Sequence, residues 1–194
     1  DAQRILGVDA AIMFADLLPI LEPMGLHLDY ILDVGPNFDN PVRTNDDIDA
    51  LLVDPASETM PYISEVIRLI RSGLPANIPL IGFGGAPFTL ASYAVEGKGS
   101  RNYVFVKQMM YGDTGAWHTL MEKITDTVID YMNYQIESGV QAVQLFDSWV
   151  GCLSPLDYVQ YVMPHSERLM KAICGSVPVI HFGTGNPALA GLMA

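Results

Sequence analysis

The sequence predicts a parallel α/β fold, and three observations carry that prediction. Four short apolar runs, Ala10-Ala11-Ile12-Met13-Phe14, Ile78-Pro79-Leu80-Ile81 and residues 140–146 and 177–182, have the continuous hydrophobicity of strands buried on both faces. Each run ends in polar residues or glycine: Asp16, Phe83-Gly84-Gly85, Asp147-Ser148 and Gly183-Thr184-Gly185. Helical periodicity follows each end, the alternation expected of βα units. Ligands of parallel sheets and of (β/α)8 barrels gather at the carboxyl ends of strands, so the four polar ends are expected on one face. Four or five strands amount to about half of an eight-stranded barrel. An open sheet in a complete small domain is the alternative.

Taken in order, residues 26–33 alternate apolar and polar at first, as in a half-exposed strand or hairpin arm, and residues 35–45 read as a loop rich in glycine, proline and asparagine. Asp46-Asp47 and Asp54-Pro55 have the chemistry of helix starts. Ile63, Val66, Ile67 and Ile70 recur at helical spacing, with Gly73 as a stop. A short helical piece is expected around 103–110. The clearest helix carries Trp117, Leu120, Met121, Ile124, Val128, Tyr131, Met132, Gln135 and Ile136 on one stripe and ends at Gly139. His118 lies beside that stripe with no ligand partner at i+4 and reads as structural. Ser154-Pro155 opens a helix expected to run to about Ile173. His181 fits a core histidine and a pocket-lining one equally well.

Composition narrows the function. The chain has 194 residues, half of them hydrophobic and 16% charged, which supplies a core and excludes disorder. Ten Lys+Arg against 22 Asp+Glu give a net charge of −12, so nucleic acid and anionic lipid are disfavoured partners. No run of about 18 apolar residues spans a membrane and no signal peptide opens the chain, so a cytoplasmic protein is expected. Cys152 and Cys174 lack the spacing of a zinc ribbon or a disulfide framework and read as buried thiols.

The residues that invite a ligand lie at 82–100. Gly82-Phe83-Gly84-Gly85-Ala86-Pro87 turns from strand to helix with three glycines in four positions, where backbone can approach a ligand closely. The run departs from the dinucleotide fingerprint, and Pro87 removes an amide that a phosphate would use.

Gly82 to Leu90, with Ser92-Tyr93, Val95-Glu96-Gly97 and Gly99-Ser100, closely resembles the glycine-rich signature of the uroporphyrinogen decarboxylase family. Gln144 to Trp149 with Gly151 and Leu153-Ser154-Pro155 resembles a second signature, and Asp9 to Ile12 with Phe14 and Asp16 a third. The three occur in the family's order and span nearly the whole chain. The resemblance implies a (β/α)8 TIM barrel, with 1–194 a single partial barrel domain covering its middle half and lacking N- and C-terminal segments. It also implies a cytoplasmic enzyme of haem biosynthesis, a tetrapyrrole substrate, no cofactor, no metal and frequent homodimerisation.

Matched by position, Asp16 corresponds to the carboxylate that accepts pyrrole N–H groups, Tyr93 and Ser148 to hydroxyls near the reacting acetate, and Phe83, Gly84 and Gly85 to the wall facing the substrate. Spacing alone fits Asp16 equally to a cap or loop, Tyr93 to core and Ser148 to a helix cap. The family's early arginine-rich loop and late histidine have no counterpart here, so this chain by itself is expected to be inactive. Two alternatives share the barrel. A corrinoid-linked methyltransferase would need a zinc-binding H-x-C where this chain has His181-Phe182-Gly183. A non-catalytic porphyrin binder would retain the cleft without the reaction.

Overall fold

A computed structural model describes every residue except Asp1, Phe14, Cys174 and Ser176, and Ala2 without its side chain. The expected strand residue Phe14 and the expected thiol Cys174 therefore lie outside the described residues. The strands are β1 (Ala11–Ile12), β2 (Leu28–Ile31), β3 (Gly35–Phe38), β4 (Leu80–Gly85), β5 (Ala142–Asp147) and β6 (Val179–Gly183). The helices are α1 (Ala2–Leu6), α2 (Asn45–Ala50), α3 (Ala56–Thr59), α4 (Tyr62–Gly73), α5 (Pro87–Glu96), α6 (Val104–Gly112), α7 (Thr114–Ser138), α8 (Pro155–Tyr161), α9 (Met163–Ile173) and α10 (Ala190–Met193). None of the described helices is long and apolar enough to cross a membrane.

Strands β1, β4, β5 and β6 lie side by side in that order and all run parallel. Parallel neighbours taken in chain order with helices between them make a barrel wall. Gly85 pairs with Phe146, and Asp147 with Gly183, so the expected polar ends do fall along one edge. On one face of the sheet Val143 and Leu145 are buried beneath helices. The other carries an aromatic row, Phe83 edge-on to Phe146 at 6.3 Å and Phe146 to Phe182 at 5.4 Å. There Phe182 stays 39% exposed, as does Ile180 at 43%, so this face is only partly covered.

Helix α7 is the chief cover of β4. Its N-cap Asp113 accepts from Ala116 N–H at 3.0 Å, and Gly139 closes its other end at φ 114°, a conformation open to glycine without steric cost. Buried Gln135 joins helix to sheet. On the β1 side, Ile81 C=O accepts from Met13 N–H at 2.9 Å. Gln135 accepts from Phe83 N–H at 3.0 Å and donates to Phe83 C=O at 2.8 Å. A side chain at Gly82 would strike that amide, its Cβ 2.6 Å from Gln135 Oε1.

Three expectations need correction. The first residues of the expected loop form β3, because left-handed Asp33 and Gly35 turn the chain back and pair it antiparallel with β2. The helix expected from 155 to about 173 is two, α8 and α9, with Val162 outside helical geometry at φ −126°. Pro164 is the cause, since its ring clashes with the carbonyl four residues back and it has no N–H to donate. At α3 the cap is not Asp54: the free Ala56 N–H donates to Asp130 of α7 at 2.6 Å. Thr44 and Asp47 form a capping box on α2, as the acidic pair there suggested.

His118 is structural, with a partner the periodicity did not show. Its Nδ1 lies 2.8 Å from Nε2 of His165 on α9, and the two rings stack. Burial, then the neighbouring His118 and Arg168, pull the His165 pKa down to about 4 from the ordinary 6.5. The unfolded chain therefore takes up a proton between pH 6.5 and about 4 that the folded chain refuses, and stability is lost as pH falls through that window. Denaturation midpoints measured from pH 7 down to pH 4.5 should fall, and the fall should shrink in His165→Gln. An unaltered pH slope in the variant would assign the effect to other groups.

Candidate active site

Asp16 follows β1 and is exposed at the carboxyl edge of the sheet. Its carboxylate is held at both oxygens. Oδ1 accepts from Leu18 N–H at 2.9 Å, and Oδ2 accepts from the hydroxyl of Tyr30 on β2. Asp16 lines a cavity of about 80 Å³ together with Phe83, Gly84, Gly85, Met60 and Tyr131. Its charge reaches two tyrosines: burial and then Asp16 raise the pKa of Tyr93, and burial and then the bond to Asp16 raise that of Tyr30. Both phenols therefore stay protonated around neutral pH and able to donate.

Tyr93 is half-buried on α5, its ring 3.8 Å from that of Trp149 at an angle of 31°. Tyr103 meets Trp149 edge-on at 5.4 Å, and burial pushes its hydroxyl up to about 12. Since Trp149 directly follows Ser148, this aromatic cluster connects the Tyr93 region to the end of β5. Polar contacts fix the same loop. Trp149 N–H donates to Thr89 Oγ1 at 3.3 Å, and Thr89 donates to Asp147 Oδ1 at 2.8 Å. Asp147 is wholly buried, with Oδ2 3.6 Å from His181 Nε2. Thr184 Oγ1 donates to Ser148 C=O at 2.7 Å, which joins the loops after β5 and β6. Ser148 caps no helix: the cap of α8 is Ser154, which accepts from Asp157 N–H at 3.1 Å.

Phe83 is 1% exposed and packs into the core, and Gly84 and Gly85 meet the cavity beside it. The smallness of these glycines has a packing cause. A Cβ at Gly84 would come within 2.8 Å of Met132 Sδ, and one at Gly85 within 2.7 Å of Leu90. Cys152 is half-buried, and burial pushes its thiol up to about 11, the property of an unreactive thiol. Among the described residues no group of three or more His, Cys, Asp and Glu side chains stands together as a metal site.

Asp16 and Tyr93 thus share one electrostatic neighbourhood, while Ser148 stands next in the chain to Trp149 with its carbonyl held by Thr184. Sequence reasoning missed Tyr30 and Tyr103, and it placed Asp147 at a strand end and Thr89 in the glycine-rich signature without giving either a role. Asp147 had one usable signal, a carboxylate ending a buried strand, whereas Tyr30 had none, because its partner is on a separate element.

The family model described as "Uroporphyrinogen decarboxylase (URO-D)" matches residues 1–194. A uroporphyrinogen decarboxylase of Geobacter sp. (strain M21) is 50% identical over 182 residues, 93% of this chain and 53% of that protein. One of Carboxydothermus hydrogenoformans is 48% identical over 192 residues, covering 98% of this chain and 55% of that protein. The chain spans about half the length of the curated relatives it matches. Among solved structures, a methyltransferase from Methanosarcina mazei superposes with a TM-score of 0.81 over 98% of this chain and 56% of that one, at 18% identity, a likeness of fold alone. With the family model matched end to end and half the residues shared with its members, the chain belongs to the uroporphyrinogen decarboxylase family.

Proposed function

We propose that the full-length protein decarboxylates the four acetate side chains of uroporphyrinogen to methyl groups, giving coproporphyrinogen. The observation that carries this reading is an exposed carboxylate, Asp16, held at both oxygens at the carboxyl edge of the sheet, in a chain of this family. Each step replaces a carboxylate by hydrogen: the C–C bond breaks, carbon dioxide leaves and a proton is added to the methylene carbon. The electrons of the breaking bond need a sink, which the pyrrole becomes when transiently protonated on a ring carbon. That carbon gives its proton up again once the methylene carbon has gained one, so each carbon dioxide lost consumes one proton. The ring-protonated intermediate is cationic. A fixed anion such as Asp16 stabilises the cation most where charge develops and accepts the pyrrole N–H groups as well. Tyr93 and Ser148 orient the departing carboxylate or relay the proton. Phe83 and the main chain at Gly84 and Gly85 form the wall behind the ring.

The same reading extends to a cytoplasmic location, to a homodimer and to residues 1–194 as part of one barrel domain. Anaerobic incubation of the purified full-length protein with uroporphyrinogen, followed by oxidation and separation of the porphyrins, tests it. Stepwise loss of four carboxyl groups is expected. No conversion, together with stoichiometric zinc in the protein, would replace this reading with thiol methyl transfer.

A further inference from the structure

The β2–β3 hairpin is anchored at one end and largely free at the other. At its base Phe38 is buried, with its N–H donating to Gly97 C=O at 2.6 Å, and Asn40 donates to Gly25 C=O at 2.9 Å. Its distal half is apolar and exposed: Ile31 is 44% accessible, Leu32 87% and Val34 57%. From this half the Tyr30 hydroxyl reaches Asp16 Oδ2 while Leu18 N–H holds Oδ1. A carboxylate offers about four lone-pair positions, two on each oxygen. Two are taken here, one on each oxygen, so the carboxylate plane is fixed and each oxygen still has room for one incoming N–H. Without Tyr30 the group would be tethered at one oxygen only and free to rotate.

We infer that Tyr30 is a positioning residue for Asp16, its hydroxyl setting the plane in which that carboxylate meets the N–H donors and developing positive charge of the substrate. The inference rests on the proposed decarboxylase reading. Misalignment of a group that acts mainly in the transition state lowers kcat more than it raises KM.

The test is steady-state turnover of uroporphyrinogen by the full-length protein, its Tyr30→Phe variant and a Leu32→Ser control on the same hairpin. Tyr30→Phe should lower kcat about tenfold, with KM within about twofold and the thermal midpoint retained, because only an exposed hydroxyl is lost. Leu32→Ser should retain both constants, which separates the hydroxyl from the hairpin as such. Wild-type kcat in Tyr30→Phe overturns the inference and leaves the decarboxylase reading standing. A rise in KM alone also overturns it, assigning the hydroxyl to the substrate, and a faster variant would make Tyr30 a competitor for Asp16. Inactivity of the wild-type protein on uroporphyrinogen overturns both readings together.

Discussion

Asp16→Asn in the full-length protein is expected to lower uroporphyrinogen decarboxylation by about 10²–10³-fold, the effect of removing one preorganised electrostatic group from a developing charge. Asparagine keeps the size and one carbonyl oxygen of the original, so the Leu18 N–H retains an acceptor. The side chain is exposed, and no buried charge is left unpaired. Circular dichroism and the thermal midpoint should therefore match the wild type while product formation collapses. Porphyrin separation after timed anaerobic incubation reads the rate. An unchanged rate would remove Asp16 from the mechanism and leave Tyr93 and Ser148 without an anchor for the cationic intermediate.

Gly151→Ala should produce the largest loss of stability. A Cβ there would overlap the carbonyl oxygen of Thr184, lie 2.7 Å from Gly185 Cα and stand 2.9 Å from Asn186 N. All three neighbours are backbone, so no flexible side chain can turn aside, and relief requires the loops after β5 and β6 to separate. Those loops are joined by the bond from Thr184 to Ser148, and Asn186 donates to Leu153 C=O at 2.9 Å. Overpacking of this kind costs about 3 kcal/mol or more. Gly99→Ala, at a position with nothing within 4 Å, is the matched control and should stay within about 0.5 kcal/mol. Denaturant titration compares the two. Equal midpoints would mean that the loops do not meet at Gly151, and Ser148 would then lose the support described for it.

Much of this architecture was legible because its causes are local. The apolar runs reported the four strands, although of these only β4 is buried along nearly its whole length; the stripe from Trp117 to Ile136 reported α7, and Gly139 marked a helix end where positive φ is required. The break before α9 had a local signal in Pro164, which the helix expected from 155 to about 173 ran through. The third strand was hidden because Gly35–Phe38 carries glycine, proline and asparagine, poor strand formers that pair only because left-handed Asp33 and Gly35 bring them back against β2.

The candidate site divides along the same line. The sequence by itself determined which residue types stand at the ends of the strands, Asp16, Phe83 to Gly85 and Asp147-Ser148, since a strand's end is written in its own neighbours. Only the tertiary structure decided their partners. Tyr30 meets Asp16, Trp149 stacks on Tyr93, and Thr89 donates to buried Asp147 because a parallel sheet aligns strand ends contributed by distant parts of the chain. A glycine's meaning follows the same rule: whether Gly84 leaves room for a ligand or for Met132 depends on which helix covers β4. Hydrogen bonds and close packing act between groups a few ångströms apart in space, and separation along the chain does not record that distance.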